Sequence, residues 1–209
     1  MIALVSVLLD YRNCVTWTIL VYLIVALVTY ALGELGGAWQ GVLSPAQVRV
    51  EEAIAEGEDA VRKPGVPLSR WRHVVPAPPG RPAVREVVVV TPYYRVAREA
   101  YLRALRGERL SSAEARALLH RLVQEHGEFP IGLLLKFSPA PAVLPSPRSI
   151  RVTDASGREL QLVGFMRPEG RSEEVELILD ALRFDLERLT ISVPLEPPQR
   201  IEVELKGMR

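Results

Sequence analysis

This chain of 209 residues contains one cysteine, three histidines, three lysines and a single asparagine. Each scarcity excludes something. With Cys14 alone, no intrachain disulfide and no cysteine-based zinc site can form, and everything after residue 14 lacks a thiol nucleophile. That portion is held by its core alone. The basic residues are 23 Arg against Lys63, Lys136 and Lys206. Heat-adapted proteomes enrich Lys together with Glu, so the bias reads as GC-rich coding more than thermophily. The formal net charge of +1 gives no global field for nucleic acid or for acidic partners.

Catalytic signatures are missing as well. There is no Gly-x-Ser-x-Gly elbow, no Ser-x-x-Lys and no Gly-rich phosphate cradle followed by Lys-[Ser/Thr]. No GxGxxG follows the Val87–Val90 run. His120 and His126 lie six residues apart, about 600° of helical rotation, and so face some 120° apart; a helical metal pair needs a spacing of three or four. Paired carboxylates for glycan cleavage have no motif to mark them. Glu174, Glu176, Glu202 and Glu204 alternate with apolar residues, as on the wet face of a sheet. No catalytic residue, cofactor or metal ligand is assigned.

What the chain does have is an uncharged run of 21 residues from Asn13 to Gly33, followed by Glu34. About 20 apolar residues at 1.5 Å rise cross a bilayer's hydrocarbon layer. Arg12 before the run and Glu34 after it favour an N-terminus inside and residues 34–209 translocated. Gly36-Gly37-Ala38 places small residues at −3 and −1 of a cut after Ala38, whereas the length of the apolar stretch favours a retained anchor. Both outcomes stay open. Either way the domain is expected outside the cytoplasm, periplasmic or extracellular, and membrane contact through 13–33 holds only if the run is uncleaved.

The remainder divides into a helical segment at 41–61, a Pro/Arg-rich linker at 62–84 and a β-rich domain at 85–209. Ser44-Pro45 looks like a helix start, and Gly57 weakens the helix that follows. Residues 62–85 hold six prolines and six basic residues but no acid, and Trp71 is placed to dock this linker on the domain. Val87–Thr91 is a β-branched run expected to be buried on both faces. Helices are expected at 93–106 and 112–126, the second behind the capping box Ser111-x-x-Glu114. Thereafter the period is two: a strand at Ile131–Phe137, a hairpin around Ala155-Ser156-Gly157, and strands at Leu189–Leu195 and Ile201–Leu205. Residues 172–189 fit both a strand and a helix, with the strand preferred. The fold expected is mainly β with an α insertion: an immunoglobulin-like β-sandwich carrying a two-helix hairpin after its first strand, preceded by an N-terminal hydrophobic helix.

The strand leading into Thr91-Pro92-Tyr93-Tyr94-Arg95-Val96-Ala97, a helix pair, and strands down to Ile201-Glu202-Val203-Glu204-Leu205 resembles exported bacterial domains of unknown function. The resemblance covers Val84 to Arg209. It implies export and a β-rich fold, and it carries no functional residue.

Two groups stand out as contacts for a ligand or partner. Tyr93, Tyr94 and Arg95 sit where a strand becomes a helix, where backbone N–H groups are free to hold an anion, although Pro92 lacks one. Trp71 sits among the basic residues of the linker. The function expected is a non-enzymatic exported envelope module acting through protein or envelope contacts. A periplasmic or surface hydrolase and a membrane-anchored subunit of an envelope complex are the alternatives.

Overall fold

The computed structural model describes residues 44–63, 68–128, 130–168, 170–171, 173–181 and 186–205. All belong to the unit Trp39–Arg209. The apolar run 13–33 and the cleavage position after Ala38 lie outside the described residues.

Within these residues the fold is α+β, with three helices and two antiparallel sheets. The helices are α1 (Val50–Arg62), α2 (Pro92–Leu105) and α3 (Ser112–His126). The strands are β1 (Arg72–Val74), β2 (Val84–Val90), β3 (Pro130–Phe137), β4 (Arg151–Thr153), β5 (Gln161–Met166), β6 (Glu174–Asp180), β7 (Arg188–Val193) and β8 (Gln199–Glu204). Five form a sheet in the order β1-β2-β3-β6-β5, and three form a sheet in the order β4-β7-β8. Residues 174–180 are thus a strand.

Period-two alternation builds the core. Register pairs Val87 with Leu135 and Leu135 with Val175, so these share one face of the larger sheet with Val89, Leu133 and Leu177. All six are fully buried. Leu189, Ile191, Val193, Ile201 and Val203 of the smaller sheet belong to the same continuous apolar cluster. The amide of Gln199 links the start of β8 to that of β2: its Oε1 accepts from Val84 N at 2.8 Å and its Nε2 donates to Val84 O at 3.0 Å.

The helices cover the opposite face of the five-stranded sheet. Thr91, in extended conformation, caps α2 by accepting at Oγ1 from Tyr94 N (3.1 Å), and Pro92 enters the first turn, where its missing N–H costs nothing. Both halves of the Ser111–Glu114 capping box are formed at α3. Ser44 behaves differently from expectation. It precedes a 3-10 turn, Pro45–Gln47, without a side-chain cap, and α1 starts only at Val50. Gly57 is no weak point: its ideal Cβ would lie 2.1 Å from Ala97 O, so its bareness lets α1 and α2 touch.

Two further readings change. The stretch read as a linker carries β1, pairs with β2 and buries Trp71 completely. Its prolines 76, 78, 79 and 82 fall in the β1–β2 connection, while β1 is proline-free and ends the sheet, so the strand rule is not broken. The hairpin expected around Ala155-Ser156-Gly157 forms only at its tip, where Thr153 and Glu159 make an antiparallel bridge. Asp154 Oδ1 accepts from Ser156 N and Arg158 N, each at 2.9 Å, and Leu160 N still donates to Val152 O at 2.8 Å. Beyond this β4 pairs with β7 and β5 with β6, so the chain changes sheet. Alternation sets which side chains point inward but not which strand is the neighbour.

Candidate functional site

A row of alternating charge crosses the helix-covered face of the five-stranded sheet. Register sets Glu86, Lys136 and Glu174 side by side on β2, β3 and β6. Arg72 forks onto Glu86, Nε to Oε1 at 2.7 Å and Nη2 to Oε2 at 2.5 Å. Lys136 Nζ lies 3.1 Å from Glu86 Oε1 and 3.9 Å from Glu174 Oε1, and Arg171 Nη1 is 3.1 Å from the latter oxygen. Directly opposite charges on neighbouring strands support such a row. The hydrogen bond from Arg72 holds the Glu86 carboxyl below the usual carboxylate range against the opposing effect of burial. The same bond raises the Arg72 guanidinium further.

One register step along, Arg95 of α2 reaches down to Glu176 of β6 and bonds its Oε1 through Nη2. Glu174 and Glu176 are only 4% and 7% exposed. Placing them on a wet face is therefore overturned: the helical hairpin lies over this side of the sheet, and each carboxylate is bonded by an arginine, Glu174 by Arg171 and Glu176 by Arg95. Glu202 and Glu204 do face solvent.

Between this face, α2 and α3 lies a cleft of about 620 Å³. Its floor is Val90, Leu134, Glu174 and Glu176; Arg98 and Leu118 stand on its helical walls. Met166, Arg167, Pro168 and Arg171 close the end beyond β5. The volume suits a ligand of small-molecule size.

Of the four residues singled out from sequence, two line this cleft, Tyr94 and Arg95. Trp71 and Tyr93 are buried behind it. The Trp71 ring centroid lies 6.0 Å from that of Tyr93 and 6.0 Å from that of Tyr94. Arg70 stacks on the outside, 4.8 Å from the Trp71 ring and 5.4 Å from Tyr93, and its Nη2 bonds Glu56 Oε2 at 2.5 Å. Burial, aided by the Glu56 carboxylate, pushes the Tyr93 phenol up to about 12. Burial also raises Tyr94. Trp71 Nε1 is a fully buried donor without a hydrogen-bond partner among the described residues.

Tyr93 is thus set apart from Tyr94 and Arg95, and two of the backbone N–H groups at the start of α2 are already bonded within the cap. Tyr94 N is satisfied by Thr91 Oγ1 and Arg95 N by Thr91 O at 2.9 Å. His126 ends α3, 3.6 Å from Glu125, while His120 is exposed on the same helix and His73 lies on β1. Among the described residues no group of three or more His, Cys, Asp or Glu is placed to hold a metal.

Sequence reasoning missed Lys136, Arg171 and the burial of Glu174 and Glu176. Their juxtaposition depends on register between strands about 40 residues apart, for which no local pattern exists. No protein-family model matches the chain, and neither a curated protein nor a solved structure is similar to it beyond chance.

Proposed function

We propose that the chain is a non-enzymatic, exported envelope module that works by contact, built on an immunoglobulin-like scaffold. The strand order supports the scaffold. With β1 set aside, β2-β3-β6-β5 and β4-β7-β8 follow the A-B-E-D and C-F-G order of a constant-type domain, with α2 and α3 inserted between the first two strands. Export rests on the run 13–33, whether it is cleaved after Ala38 or kept as an anchor.

The contact reading is carried by β5. Among the described residues this strand ends the larger sheet and pairs with β6 alone, and it contains no charged residue. Val163, Phe165 and Met166 are 41%, 50% and 41% exposed on it. Edges of this kind are normally guarded by charge, as β8 is by Arg200, Glu202 and Glu204. An extended segment of a partner protein laid along β5 would pair its free backbone groups and cover the three apolar side chains.

A photo-crosslinking residue at position 165, with position 202 on β8 as the comparison, tests this in native cells expressing the full chain. A discrete adduct with an exported protein at 165 and none at 202 is expected. Equal labelling at both, or none at 165, overturns the reading.

A further inference from the structure

The cleft contains cationic groups that the fold does not use. Arg95 and Arg171, at its floor and end, are engaged by Glu176 and Glu174. Arg98, Arg121 and Arg167 also line it, from α2, α3 and the chain after β5, and among the described residues none has a carboxylate within ion-pair distance. Of the remaining acids on the lining, Glu99 turns to Arg103 at 3.0 Å, and Glu125 lies against His126. The surplus is three guanidinium groups against one rim carboxylate. Nothing in folding rewards such a surplus, since like charges around one hollow repel. A dianion would match it. Alongside these groups the wall is apolar, with Leu118, Leu122 and Met166.

The geometry points to this cleft as a binding site for a phosphate monoester carrying an apolar group. A phosphate ester carries about 1.5–2 negative charges near neutrality and offers three acceptor oxygens. Guanidinium forks bind such oxygens in pairs. The apolar part would lie on the leucine wall while the phosphate sits among Arg98, Arg121 and Arg167. That chemistry has two sources, a soluble organophosphate and the headgroup of an acidic glycerolipid. The site lies on the helix-covered face and shares only Met166 with the contact proposed for β5; its three arginines lie outside that strand.

The test is calorimetric titration of the full chain in neutral detergent with three probes: inorganic phosphate, phenyl phosphate and dihexanoylphosphatidic acid. At least one of the two esters should bind 10-fold or more tightly than inorganic phosphate. The triple variant Arg98→Gln, Arg121→Gln, Arg167→Gln should lose at least 10-fold of that affinity. All three side chains are exposed, so the variant should fold, which its far-ultraviolet spectrum checks. Arg151→Gln with Arg200→Gln, on the other sheet, should bind as the parent does. Preference for the phosphatidic acid assigns a lipid source, and preference for phenyl phosphate a soluble one. The inference is overturned if neither ester exceeds inorganic phosphate, if the triple variant binds undiminished, or if the control variant loses as much.

Discussion

The Glu176 carboxylate occupies the space that a side chain at position 132 would need: an ideal Cβ on Gly132 would lie 2.6 Å from Glu176 Oε1. The same point would be 2.9 Å from Val90 Cβ. Gly132 has no positive φ to justify it, so the glycine is there for room. Through that gap Glu176 reaches Arg95 and ties α2 to β6.

Gly132→Ala should therefore destabilise the protein by about 2–3 kcal/mol, despite the better strand propensity of alanine, by displacing a buried carboxylate from its arginine partner. In a Glu176→Ala background the cost of the same change should fall by at least about 1 kcal/mol, because the two positions share one space. Urea denaturation of the four proteins in this cycle is the measurement. Additive effects would mean that the carboxylate does not fill the gap.

Gly57 makes the corresponding contact between helices. Its ideal Cβ would stand 2.1 Å from Ala97 O and 2.8 Å from Ala100 Cβ. In an exposed helix Gly→Ala gains about 1 kcal/mol. Here Gly57→Ala should instead cost about 2–3 kcal/mol, because the obstructing atom is backbone and α1 must move away. The exposed Ala55 on the same helix supplies the contrast. Ala55→Gly should cost only about 1 kcal/mol, as helix propensity alone requires.

How far the fold could be read in advance depended on range. Local chemistry was legible: the capping box at Ser111, the β-branched Val87–Val90 strand and the alternation of β7 and β8 all follow from side chains within a few residues of one another. Partnership was not. Nothing near Val152 says that it pairs with Ile191 as well as bonding across its own turn, and nothing near Glu174 says that a helical hairpin will cover it. The site was half legible. Tyr94 and Arg95 line the cleft, but the other arginines and carboxylates that give it character come from later on α2 and from α3, β6 and the chain after β5. Trp71 was visible as an anchor, while its depth was hidden by the prolines around it.

That depth is testable. Trp71 is fully buried against Tyr93 and Tyr94, so Trp71→Ala should cost about 3–5 kcal/mol, the loss expected for emptying a core aromatic site. Trp71→Phe should cost clearly less. It keeps a ring against the tyrosines and removes Nε1, a buried donor with nothing to bond among the described residues. A Trp71→Ala protein as stable as the parent would return residues 68–84 to the status of a linker.

Acid should loosen the start of α3. The Glu114 carboxyl is held down to about 2 by hydrogen bonds from Ser111, first, and from Arg103. A carboxyl lowered on folding contributes stability that is present above the ordinary glutamate range and lost as pH falls from there towards 2. A proton titration followed by nuclear magnetic resonance should show Glu114 ionised below the midpoints of other exposed glutamates. Ser111→Ala should move that midpoint upward.

Alkali should act on the aromatic cluster through Tyr93. Burial is the larger cause of its raised phenol, and the neighbouring Glu56 carboxylate adds to it, while Arg70 opposes both. The unfolded phenol ionises near 10 and the folded one at about 12. The folded state thus holds the proton more tightly. Its contribution is complete below pH 10 and disappears as pH rises from 10 through 12, by roughly 2–3 kcal/mol at most. Denaturation midpoints measured across that window should fall, and Tyr93→Phe, which has no proton to lose, should fall less steeply. Glu56→Gln separates the two causes. It weakens the hydrogen bond that favours the protonated phenol and removes the charge that repels its anion, but leaves the burial, so the late phenol absorbance change should move towards lower pH yet stay above that of a free tyrosine.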